Sequence, residues 1–384
     1  MGSCTGWRSP ARAAGREGVD RLRPGSGSRH RTGDRARALR RVVRDRGSAR
    51  GDAIVPGERS RTSRVHGPLR SDDQAMDDLQ IDAAWSDPKL ANVLYHDWEA
   101  GTYDDKWSIS YDERCITYAR ELFDRSVPEH TVLPAARALE IGGGTGFFLL
   151  NLMQSGVAET GVLTDISSNM VRTAVTNGRR LGLDVTGQVA DVESLPFADA
   201  SFDLVVGHAF LHHIPDVEQA LREILRVLTP EGRFVICGEP TRRGDVVARR
   251  LSQATWWTTR KVTSLPMLRG TWARDPAELD ASSREAALEA VVDLHTFEPD
   301  RLAALCMRAG AVDVRTNTEE LTAAWFGWPV RTFEAAVPRE ALGWGWAMFA
   351  YRTWQRCNAV DRAVWSRVVP SGWFYNVCVT GVRP

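Results

Sequence analysis

The chain has 384 residues, 43% apolar and 26% charged, enough for one large domain or two ordinary ones with a sizeable core. Its formal charge is zero, but residues 1–70 carry 18 Arg against 6 Asp and Glu, so the body beyond them is net acidic, which argues against nucleic acid as a partner of that body. Six scattered cysteines without a Cys-x-x-Cys pair fit neither a zinc knuckle nor a disulfide scaffold, leaving reduced thiols and a cytoplasmic setting as the expectation.

Residues 1–75 are Arg-, Gly-, Ser- and Ala-rich with few large apolar side chains, so they are predicted to be a disordered extension, unable to bury enough surface to offset chain entropy. A basic nucleic-acid arm and a transit peptide are the rival readings. The favoured one is an upstream extension outside the working protein, with Met76 opening the globular texture. The segment also lacks the apolar stretch of a secretory signal.

Residues 76–134 are predicted to form a helical lid, with an amphipathic helix over 112–125 that puts Ile116, Ala119, Leu122 and Phe123 on one side. From 135 to 240 strands and helices alternate. The strand candidates are Ala136–Ile141, Gly161–Ile166, Val185–Ala190, Phe202–Val206 and Arg233–Cys237, short and apolar as strands buried on both faces must be. The helices between them are Phe147–Gln154, Ser168–Leu181 and Val217–Leu228. The last has Leu221, Ile224, Leu225 and Leu228 at helical spacing behind an Asp216 N-cap. This alternation predicts an α/β fold with a Rossmann-like, doubly wound parallel sheet. Residues 241–298 are an irregular-to-helical cap insertion. Within 299–384 a helix over Pro299–Ala309 and a strand over Val312–Thr316 resume the sheet, and Trp373–Thr380 is its last strand.

A Trp-rich insertion over 320–370 separates those last two strands. Its tryptophans read as a packed cap core, with a substrate tunnel or peripheral membrane contact as alternatives. The most apolar run, Ala341 to Tyr351, has about half the length of a membrane-spanning helix.

The sharpest motif is Glu140-Ile-Gly142-Gly-Gly144-Thr-Gly146, a carboxylate closing a strand before a glycine-rich turn into a helix. A dinucleotide fingerprint, Gly-x-Gly-x-x-Gly, fails in both registers, since Phe147 and Leu149 stand where its third glycine belongs. A phosphate-free ligand with an adenosine and an amino-acid tail fits better. Asp165 closes the second strand 19 residues after Gly146, where a carboxylate can accept both ribose hydroxyls. Asp191 follows the third strand, placed to accept from an adenine amino group. Asp203 is read as fixing the turn before the fourth strand.

Glu140–Phe147, Asp165, Asp191–Phe197 and Phe202–Ile214 together resemble the class I S-adenosylmethionine-dependent methyltransferases, in the small-molecule branch of the ubiquinone/menaquinone biosynthesis enzymes. The likeness covers roughly residues 135–240. It implies a seven-stranded sheet with the last strand antiparallel and helical cap insertions, and S-adenosyl-L-methionine as cofactor. It also implies a cofactor site of Glu140, Gly142, Gly143, Gly144, Gly146, Asp165, Ile166, Asp191, Val192 and His208.

The acceptor expected is a small, apolar or lipid-like molecule methylated at oxygen or carbon. An RNA methyltransferase and a non-catalytic cofactor-binding module are the alternatives. Against the former, the place of the Asn/Asp-Pro-Pro-aromatic turn of base-amine methyltransferases reads Gly207-His-Ala-Phe210. His208 and His212 are the candidate catalytic bases, and Tyr95, Tyr103 and Trp107 the candidate lid contacts to substrate. His208, His212 and His213 invite a metal reading, because positions 208 and 212 would share a helix face, but no metal site is assigned, since no third nearby ligand with a fixed second shell is evident.

Overall fold

The β-branched and leucine-rich segments after residue 134 pair into one seven-stranded sheet, seen in a computed structural model that describes residues 87–101, 103–104, 109–275 and 292–384. The extension at 1–75 and Trp107 lie outside the described residues, as do parts of the lid and cap segments. The strands are β1 Ala135–Glu140, β2 Ala158–Asp165, β3 Val185–Val189, β4 Phe202–His208, β5 Leu228–Pro240, β6 Val312–Glu319 and β7 Asn376–Val382. Their order is β3-β2-β1-β4-β5-β7-β6. Strands β1 to β5 run parallel, and β7 lies antiparallel to both neighbours, as the resemblance implies.

Side chains alternate across this sheet, and the alternation divides the core in two. Ala138, Leu163, Leu204, Val206, Val235 and Cys378 face one layer. Leu139, Val162, Val205, Phe234, Ile236 and Val379 face the other. The first layer is closed by α2 (Glu113–Ser126) and α3 (Phe147–Gln154) through Leu122, Phe123, Phe148 and Leu149. The second is closed by α5 (Val217–Val227) and α7 (Pro299–Ala309) through Leu221, Ile224, Leu302 and Cys306. Each fully buried Leu or Ile of these helices contributes about 1.5–3 kcal/mol of burial. The remaining helices introduced here are α1 (Pro88–Glu99), α4 (Ser168–Arg180), α6 (Arg242–Thr263), α8 (Thr322–Ala336) and α9 (Trp344–Val360).

Several boundaries move. The last strand starts at Asn376 and not Trp373, which sits in a 3-10 turn over Ser371–Trp373. Strand β5 starts at Leu228, where Leu228 pairs with Phe202 before a register shift, so the chain leaves α5 directly into the sheet. The segment after β5 is far more regular than its sequence suggests, because α6 alone runs for 22 residues. Asp203 accepts the Arg137 N–H at 3.0 Å and so ties β4 to β1. No helix among the described residues is long and apolar enough to cross a membrane.

The Trp-rich insertion packs as a helical cap. Trp354 is buried against the first core layer, and Trp346 meets Phe333 at a tilt of 52° with ring centres 5.0 Å apart, while its indole N–H donates to Glu334. The favoured packed-cap expectation describes these two rings; Trp344 remains about half exposed.

Candidate active site

Strands β1 and β4 are neighbours, but the chain leaves them toward opposite edges of the sheet, and such a switch point opens a crevice at the carboxyl ends of the strands. A cleft lies there. Its wall takes Glu140 from the end of β1, Asp165 from β2, Asp191 from beyond β3 and His208 from β4. Of the predicted cofactor residues, Gly142, Gly143, Gly144, Ile166 and Val192 also line it, and Gly146 does not.

Gly146 instead opens α3 in the left-handed conformation at φ 90°, with a Cβ there only 2.7 Å from Leu150. Its place is turn and helix packing behind the cleft. Gly142 is the position where the cleft itself requires glycine. Its φ is 58°, and a Cβ would stand 2.4 Å from that of Phe210.

The glycine turn is held rigidly from behind. Gly143 N–H donates to Thr164 O at 2.8 Å, and Thr164 Oγ1 donates to Glu140 O at 2.6 Å. Tyr111 Oη and Asn177 Nδ2 both donate to Thr145 O, at 2.7 and 3.1 Å. Helix α1 is anchored over the other side, where Asp97 accepts from Ser167 and from the Asn169 N–H at the start of α4.

Glu140 is the outstanding group of this wall. It is 1% exposed, and its Oε2 is buried without a hydrogen-bond partner. Burial pushes its carboxyl up to about 8, against the pull of the Phe148 and Leu149 N–H groups at the start of α3. A buried oxygen of this kind is strongly stabilised by a cationic donor such as an ammonium. Asp165 is likewise raised by burial, to about 6, although its two oxygens accept the Gly144 and Ser167 N–H groups at 2.9 and 2.8 Å.

Asp191, expected to accept from an adenine amino group, has protein partners of its own. Its Oδ2 is 2.6 Å from Lys89 Nζ and its Oδ1 accepts the Glu193 N–H, with Lys89 bridging to Glu193 as well. Sequence spacing could not reveal this, because Lys89 arrives from α1, 102 residues away in the chain. Lys89, Asn92 and Glu99 are cleft residues that the sequence reading did not single out, and His96 and His213, the latter weighed there only as a metal ligand, line the cleft with them. The signal for Lys89, Asn92 and Glu99 was their place on the same helix as Tyr95.

Tyr95 and Tyr103 line the cleft as expected, Tyr95 donating to Glu99 at 3.3 Å and Tyr103 lying over Gly144. His208 is the last residue of β4 rather than a loop residue. Its ring sits beside Phe147 and Phe148, at 5.3 and 5.5 Å, and over Gly238, where a Cβ would be 2.8 Å from Nε2. That Nε2 is buried without a partner, and burial pushes the imidazole down to about 3. It is therefore neutral at ordinary pH.

His212 does not line the cleft. It lies in the 3-10 turn Leu211–His213, and its Nδ1 meets Glu239 at 2.8 Å, in a carboxylate that also accepts the Phe210, Leu211 and His212 N–H groups. It supports the wall from behind and does not reach the reacting space.

The three histidines do not form one set, since His208 and His212 belong to different elements. Instead Asp293 comes to His212 and His213, and their ligand atoms lie within 4.8 Å of one another. Both rings already engage the protein there, His212 through Glu239 and His213 through Val292 O at 2.9 Å.

Residues 139–236 match the family described as "Methyltransferase domain". Over 111 residues the chain is 42% identical to the ubiquinone/menaquinone biosynthesis C-methyltransferase UbiE of Ectopseudomonas mendocina, covering 27% of this chain and 42% of that one. Over 101 residues it is 37% identical to the methyltransferase YcgJ of Bacillus subtilis, covering 26% and 39%. The chain thus spans about two-fifths of the length of these curated relatives. Among solved structures, YcgJ aligns with 71% of this chain and 99% of its own at 17% identity, with a TM-score of 0.38. Phosphoethanolamine N-methyltransferase 2 of Haemonchus contortus aligns with 70% and 52% at 14% identity, with a TM-score of 0.42. The segment 139–236, which runs from the end of β1 into β5 and supplies most of the cleft wall, is thus similar to a methyltransferase domain and to the matched parts of UbiE and YcgJ.

Proposed function

We propose that this chain transfers a methyl group from S-adenosylmethionine to oxygen or carbon of a small, apolar acceptor. The observation that carries the reading is the unpartnered, fully buried Glu140 oxygen beside a glycine turn at the switch point. An amino-acid ammonium would complete it. Asp165 faces the same cleft and would take the ribose hydroxyls, while Ile166 and Val192 offer apolar contact to a base. The bound donor supplies a methyl on a positively charged sulfur, a good leaving group for in-line displacement.

The protein's task is then to exclude water and align the acceptor, which can lower the barrier by about 7–11 kcal/mol when the geometry is right. Ile109, Phe147, Phe148, Phe210 and Ile214 give the cleft one apolar face, suited to an acceptor of the same character, beside the polar Asn92, His96, Glu99 and His213. His208 stands among them with a neutral ring. An imidazole pushed down to about 3 is a weak base at neutral pH but keeps a lone pair for a hydrogen bond. Its role in this reading is to orient an acceptor hydroxyl or enol and receive its proton only as the methyl transfers.

Calorimetry with S-adenosylmethionine, S-adenosylhomocysteine and NADH tests the donor assignment. Micromolar uptake of the first two and none of the third is expected. Uptake of NADH alone would overturn it. Release of S-adenosylhomocysteine with a panel of phenolic and quinol-type acceptors tests turnover.

A further inference from the structure

We propose that the outer face of α6, with the turn that follows it, docks this protein onto an anionic lipid surface. From Val246 to Arg274 the sequence holds no acid and six bases, in a body that is otherwise net acidic. The buried residues of α6, namely Gly244, Ala248, Thr259 and Thr263, form a stripe turned toward the protein. On the opposite side, Arg250, Trp257 and Lys261 fall on one helical stripe and all are exposed.

The apolar groups there are large and well displayed. Trp257 is 63% exposed, Leu265 52% and Met267, at the tip of the following turn, 96%. Lys261 Nζ lies 4.9 Å from the Trp257 ring centre, so cation and aromatic project together. Arg250, Arg260, Lys261 and Arg269 make no ion pair with an acid among the described residues.

An exposed apolar tip of this size is costly for a surface that meets only water, and the cations around it lack an ion-pair partner among the described residues. It complements a bilayer with anionic headgroups. The bases would meet the phosphates, while Trp257, Leu265 and Met267 enter the headgroup boundary. A second copy of the chain fits less well, because two such faces would set like charges together.

The inference does not depend on the methyl-donor reading, and its test involves no turnover. Since residues 1–70 are also strongly basic, a simple vesicle pull-down of the full chain would not locate the contact. Oxidative footprinting of methionines in the full-length protein does. With phosphatidylcholine vesicles carrying about 30% phosphatidylglycerol, Met267 oxidation should slow at least fivefold or so, whereas Met307, itself 56% exposed, should serve as the unchanged control. The protection should fade as salt rises toward about 1 M. It should also be lost in the double variant Arg260→Glu, Lys261→Glu, whose circular dichroism and melting should match the parent.

Four results would overturn the proposal: no protection of Met267, equal protection by phosphatidylcholine alone, protection that survives the charge reversal, or concentration-dependent protection without vesicles, which would assign the face to self-association.

Discussion

Helices α5 and α6 flank the same strand, β5, and use opposite chemistry. Helix α5 has 11 residues, six of them buried, and its Leu221 and Ile224 fill the second core layer. Helix α6 has 22 residues and only four buried, with Trp257 and Val262 turned outward. Length is therefore a poor guide to what a helix does for the fold. The shorter helix holds the sheet beneath the cleft, and the longer one is attached by a narrow stripe of small residues that lets it display its other face.

The sharpest way to break this contrast is to truncate a side chain in each helix. Leu221→Ala should cost about 2–5 kcal/mol, because it leaves a cavity under β4 and β5, and a denaturant titration would register it. Trp257→Ser in α6 should stay within about 0.5 kcal/mol of the parent. Equal losses would mean that α6 is as much a part of the core as α5.

The cleft wall offers the next contrast, between Glu140, with its unpartnered buried oxygen, and His208, with its unpartnered nitrogen. Glu140→Gln should weaken S-adenosylmethionine binding roughly 10- to 100-fold by calorimetry, the loss of one charge-assisted hydrogen bond. Burial raises the folded carboxyl to about 8, above its ordinary 4.5. The native state therefore holds the proton more tightly than the unfolded chain. This contribution to ligand-free stability is full below the ordinary value and is lost as pH rises through about 8. Melting of the parent should decline over that window, and Glu140→Gln should flatten the decline. Binding of an ammonium to the ionised carboxylate should also release a proton near neutral pH, seen by calorimetry in buffers of different ionisation heat.

His208→Ala should separate from this, lowering turnover about tenfold or more while donor affinity changes less than threefold or so. If both fall together, the ring serves donor binding instead.

The cleft was legible in the sequence where it is built from local order. Glycines following Glu140, and carboxylates at the ends of successive strands, are consequences of how a parallel sheet presents its carboxyl edge, so spacing alone places them near one another. Gly146 illustrates the limit. It has the same periodicity as Gly142 and Gly144, yet its neighbour is Leu150 of α3 and it does not face the cleft. Lys89 illustrates another, because the ion pair that engages Asp191 crosses from a helix before the sheet to the loop after β3. The basic face of α6 was present as composition, but nothing in one sequence distinguishes an inward tryptophan from an outward one.

Hydrophobic periodicity, turn residues and the Glu140 motif were thus enough to set the strands, their helices and a carboxylate-lined crevice, since each depends on residues within a few positions of one another. The tertiary structure alone decided which groups share that crevice. It withdrew His212 behind the wall onto Glu239, brought Asp293 to the paired histidines and turned Trp257 outward. Those outcomes rest on contacts between distant segments, whose burial and charge balance are settled only when the layers close.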